Sequence, residues 1–101
     1  MLKQAHFFIK GDVISVGFRA WTKILAKPLE ITGWVRNVFD RPDLFGKSGG
    51  VEMVVQGEEE NLERIIKLLQ TGPPISRVDD AELIYEDPKE IFDIFEIKRN
   101  T

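Results

Sequence analysis

Apolar and polar side chains alternate over residues 5–10. Ala5, Phe7 and Ile9 fall on one parity, and His6, Phe8 and Lys10 on the other. A period of two is that of a strand, so the pattern predicts a half-buried one. After a glycine-bearing turn over residues 11–18 the period changes. Trp21, Ile24, Leu25 and Pro28 recur at helical spacing, with Lys23 and Lys27 between them, predicting a helix over 19–28 that buries the first set. Pro28 lacks an N–H and disfavours helical geometry at Lys27, so the helix ends or kinks there. Ile31 to Val38 is β-branched and aromatic, a second strand. Residues 40–50 hold Pro42 and three glycines and read as a loop. Val51 to Gln56 is a third strand, closed by Gly57. Glu58 to Gln70 carries Leu62, Ile65, Ile66 and Leu69 at spacings of three and four, with three glutamates in its first turn where the helix dipole favours carboxylates. Gly72-Pro73-Pro74 stops that helix. Arg77 to Glu86 and Ile91 to Lys98 are the remaining strands, joined by a turn over residues 87–90.

The order strand, helix, strand, strand, helix, strand, with a last short strand, is that of a split βαβ unit. It predicts an α+β, ferredoxin-like sandwich: a mostly antiparallel sheet of four to five strands with two helices on one face. The length of 101 residues is that of a single domain, 1–101.

Composition narrows the function. A net charge of -3 disfavours nucleic acid as a partner, since its binders carry a basic excess or stripe. No run is long and apolar enough to span a membrane, and the first residues lack the apolar core of a signal peptide. There is no cysteine, so neither disulfides nor thiolate chemistry are available, which suits a reducing cytoplasm. The acidic runs Glu58-Glu59-Glu60 and Asp79-Asp80 lack the convergent spacing of metal ligands. The expectation is a cytoplasmic monomer without a metal site.

The turn Gly11-Asp12-Val13-Ile14-Ser15-Val16-Gly17-Phe18-Arg19 joins the first strand to the first helix. Free amides at a helix start, together with the dipole, make such a turn an anion cradle. Arg19 adds a planar cation whose fork matches phosphate or carboxylate oxygens. A cation is mildly unfavourable at that end of a helix, so Arg19 calls for an anion or a carboxylate partner. Asn37, taken alone, reads as a turn residue after a strand.

The segment GDVISVGFR over residues 11–19 and the segment Gly33-Trp34-Val35-Arg36-Asn37 resemble the two signature segments of the acylphosphatases, small hydrolases of carboxyl phosphates. Gly50-Val51-Glu52, Gln56-Gly57 and Gly72-Pro73-Pro74 follow in family order, so the resemblance spans nearly the whole chain. It implies the same ferredoxin-like fold, a small acyl phosphate as substrate, and no cofactor. It also implies that the backbone N–H groups of Ser15, Val16, Gly17, Phe18 and Arg19 bind phosphate, that Arg19 grips the phosphoryl group, and that Asn37 positions the attacking water. The chain departs from the family where Ile14-Ser15 stands for Gln-Gly, where Glu30 stands for a glycine, and where the loop 40–50 looks inserted. Two other functions fit the same topology: a non-catalytic anion-binding or regulatory module, and a nucleic-acid-binding ferredoxin-like domain, for which only Phe7 and Phe8 speak. His6, the only histidine, reads as a sheet-face residue one strand-length from the turn. Trp21 and Trp34 read as packing residues.

Overall fold

The alternating run at the start becomes the middle of a five-stranded sheet. In the computed structural model, which describes residues 1–101, β1 (Leu2–Asp12) is followed by α1 (Phe18–Ala26), β2 (Thr32–Val38), α2 (Pro42–Phe45), β3 (Gly50–Glu58), α3 (Glu59–Thr71), β4 (Arg77–Glu86) and β5 (Phe95–Ile97). The strand order is β4-β1-β3-β2-β5. Every pairing is antiparallel except β2 with β5, which is parallel. This is the ferredoxin-like arrangement expected from the element order, with five strands. No helix is long and apolar enough to cross a membrane.

The two faces of the sheet are set by parity. Ala5, Phe7 and Ile9 of β1 are fully buried, with Val35 of β2 and Val51, Met53 and Val55 of β3 beside them. Leu62, Ile65, Ile66 and Leu69 of α3 close over this face, as their spacing predicts. Fully burying a side chain of this size contributes about 1.5–3 kcal/mol, so this one layer supplies the main favourable term in folding.

Helix α1 departs from the expectation. Its buried residues are Phe18, Thr22 and Ala26, an i, i+4, i+8 row, with Trp21 and Leu25 packed along its flank. Ile24, expected in the core, is 72% exposed. Two rows were compatible with the spacing. The one beginning at Phe18 wins because that ring anchors the preceding turn, and Thr22 satisfies its own hydroxyl by donating to Phe18 O at 2.8 Å. The helix stops at Ala26, before Pro28, and the chain turns through Glu30 at φ 53°, a left-handed position suited to glycine.

The segment 40–50 is not a plain loop. Pro42–Phe45 forms one helical turn, with proline at its start where a missing N–H is tolerated. Phe45 is 3% exposed and packs on Phe8, on the sheet face away from α1 and α3. A Cβ on Gly50 would fall 2.2 Å from the Phe45 ring and 2.6 Å from Ile9 O, so glycine is required there by contact. At the tip, Arg41 donates two hydrogen bonds to Asp43 and so holds its carboxyl below the ordinary carboxylate range.

That second face carries a polar belt. His6 Nε2 lies 2.7 Å from Glu52 Oε2, and Arg36 donates from Nε and Nη2 to Glu52 Oε1 at 2.9 and 2.7 Å. His6 also stacks on Phe8, which accounts for it as the sheet-face residue expected. The fifth strand is shorter than the predicted 91–98. Fully buried Gln56 donates to Glu90 O and accepts from Phe92 N–H, holding the chain before β5 in an irregular path.

Candidate active site

The turn between β1 and α1 is pinned at both ends by apolar side chains. Val13 is 1% exposed and Phe18 2%, and both belong to the core. Between them the chain has four residues in which to reverse, and two take left-handed backbone: Ser15 at φ 63° and Gly17 at φ 77°. Left-handed residues alternating with others turn successive amides into one concavity, an anion-binding nest. No protein group accepts from the amides of Ser15, Val16 or Gly17. The first bond of α1 runs from Trp21 N–H to Gly17 O at 2.9 Å, so the amides of Phe18 and Arg19 also lack intrahelical partners. A Cβ on Gly17 would meet nothing within 4 Å, which leaves its side of the turn open.

Asn37 reaches the same place from β2. It shares parity with Gly33 and Val35, so it faces the helices, and it stands one residue before the end of the strand, below the start of α1. It is 4% exposed, and its Oδ1 is buried without a hydrogen-bond partner. An orphaned buried amide oxygen is costly and uncommon, and marks a position held for something other than packing.

These pieces meet in one cavity of about 200 Å³, lined by Ser15, Gly17, Phe18, Arg19 and Asn37 among others. Val16 contributes to the turn but not to the lining; its side chain packs against the core. Asp12, whose charge stands next to the turn in sequence, lies opposite Arg77 on β4 and outside the lining. Arg19 is half-buried, and its Nη1 donates to Asn100 Oδ1 at 3.1 Å. Asn100 belongs to a tail laid along β2: Lys98 N–H donates to Val35 O and Thr101 N–H to Asn37 O. Sequence reasoning missed Asn100, and no pattern could have found it, because its approach depends on where β5 pairs.

The chain matches known proteins over most of its length. Residues 5–97 fit the Acylphosphatase family model. The chain belongs to the acylphosphatase family. An acylphosphatase from Natronomonas pharaonis is 38% identical over 96 residues, covering 95% of each chain. One from Nostoc sp. is 40% identical over 98 residues, 97% of this chain and 88% of that one. The crystal structure of acylphosphatase from Bacillus subtilis superposes with a TM-score of 0.82 at 30% identity, covering 97% of this chain and 99% of that one. Ser15, which stands where the signature segment that the chain resembles has glycine, holds a left-handed position with a side chain.

Proposed function

We propose that this acylphosphatase-family protein hydrolyses small acyl phosphates to a carboxylate and inorganic phosphate. The observation that carries the reading is the convergence, in one cavity, of unpartnered amides, a guanidinium and a buried, orphaned amide side chain. The amides of residues 15–19 take the phosphoryl oxygens, and Arg19 neutralises their charge with its fork. Asn37 orients the attacking water, since a neutral amide both donates and accepts. It takes no proton at neutral pH, so the water proton passes to a phosphoryl oxygen of the substrate. The new bond forms from water oxygen to phosphorus as the bond from phosphorus to the acyl oxygen breaks, and the carboxylate leaves. A loose transition state asks little of a base, and placement with charge stabilisation supplies the catalysis. No metal or organic cofactor takes part in this scheme. A monomer of one domain, residues 1–101, remains the expectation from length. The cytoplasm, with no nucleic acid as partner, remains the expectation from composition.

The test is turnover of acetyl phosphate or benzoyl phosphate by the purified protein, read as released inorganic phosphate above the spontaneous rate. Phosphate binding without turnover would reject the enzyme and leave an anion-binding module.

A further inference from the structure

Beside the phosphate cavity lies a larger groove of about 860 Å³ between α1 and the chain at 93–97. The two adjoin: Ala20 and Ile97 line both. Ala20 is the first residue after Arg19, and its side chain at the shared edge is small. Ile24, at i+4 from Ala20, carries the same helix face onward along the groove. Ile94, Phe95 and Ile97 form the other wall, with Phe95 at 8% exposure as its base. Ile24 is 72% exposed, Ile94 65% and Ile97 40%. Three large aliphatics facing one concavity form a contiguous apolar patch, which marks a binding surface more than isolated exposed residues do. The charged residues of the groove are Lys23, Lys27, Glu30 and Asp93. Two of each sign give no field favouring a distal carboxylate or ammonium on the occupant.

We propose that this groove is the acyl subsite, and that the protein prefers acyl phosphates with an extended apolar acyl group, a medium-length aliphatic chain or an aromatic ring, over acetyl phosphate. The proposal rests on the acyl phosphate reading of the neighbouring cavity. With the phosphoryl group in the turn at 15–19, the acyl carbon leaves past Ala20, and the rest of the chain lies between Ile24 and Ile97. The gain comes from removing both the acyl chain and the three isoleucines from water.

The test uses alkylphosphonates, which place an apolar chain on a tetrahedral anion and are not hydrolysed. Dissociation constants for methyl-, butyl- and octylphosphonate are measured by calorimetry on the whole protein. The expected result is a fall of about two- to threefold per methylene, less than the fourfold of complete burial because the groove is open. Ile24→Asp and Ala20→Phe should each flatten the series, whereas Ile75→Asp, at an exposed isoleucine outside the groove, should leave it steep. Equal affinity for methyl- and octylphosphonate, a series unchanged in both groove variants, or no binding at any length would overturn the proposal. Because this readout needs no turnover, the two readings separate. A steep series in a protein that does not hydrolyse acetyl phosphate rejects the activity and keeps the groove. Hydrolysis with a flat series rejects the groove alone.

Discussion

Arg19 Nη1 donates to Asn100 Oδ1 at 3.1 Å, so the cation at the cavity of Ser15 and Asn37 is steered by a residue 81 positions away. The partner is neutral. It therefore orients the guanidinium without cancelling the charge that an anion would need. Asn100→Ala should leave Arg19 present but less ordered. The loss of one exposed hydrogen bond is worth about 0.5–1.5 kcal/mol, so phosphate affinity should fall between about two- and tenfold. Isothermal titration with inorganic phosphate measures it. An unchanged constant would make the contact incidental.

Arg19 and Asn37 should divide the work. In the proposed mechanism Arg19 attracts oxygens that are anionic in both ground and transition states, so Arg19→Ala should raise KM and lower kcat, with a total loss of about 3 kcal/mol or more. In the proposed mechanism Asn37 acts on the water, whose placement matters only in the chemical step. Asn37→Ala should lower kcat and leave phosphate affinity nearly unchanged. Steady-state kinetics with a phosphate titration and a melt at each variant decide it. Equal loss of phosphate binding in both would make Asn37 a ligand contact.

Ser15 holds φ 63°, where a side chain crowds its own backbone. The left-handed conformation costs a non-glycine residue about 1–2 kcal/mol. Ser15→Gly lowers that cost and raises the population of the nest over other turn conformations. Phosphate should bind about two- to fivefold more tightly, the most that roughly 1 kcal/mol allows. The thermal midpoint should move little, since glycine also frees the unfolded chain. Weaker phosphate binding in a variant that remains folded would show that the serine hydroxyl has a part of its own.

Phe45 should matter to stability although it lies in an apparent insertion. It is 3% exposed against Phe8, beside a glycine that leaves room for its ring. Phe45→Ala should cost about 3 kcal/mol in urea unfolding, as a buried aromatic truncation does. A loss under about 0.5 kcal/mol, the usual range of surface changes, would mean that the turn merely lies on the sheet.

What the sequence by itself determined is what depends on local period and local backbone. Parity placed Ala5, Phe7 and Ile9 in the core, and helical spacing did the same for Leu62, Ile65, Ile66 and Leu69. The resemblance set Ser15 and Glu30 at positions where the family has glycine, and both have positive φ. The signature segments named Arg19 and Asn37 as one site, and they line one cavity. Tertiary structure decided what depends on which surface meets which. For α1 two rows compete: the one through Phe18, which carries the polar Thr22, and the one through Ile24, which the apolar spacing favoured. Only the anchoring of Phe18 under the turn selects the first and leaves Ile24 in the groove. The buried place of Phe45 needed Gly50 and Phe8 to be brought beside it by the pairing of β1 with β3. The contact of Asn100 with Arg19 needed β5 to pair in parallel with β2. Such contacts join residues far apart in the chain, and a local pattern carries no record of them until the sheet fixes their register.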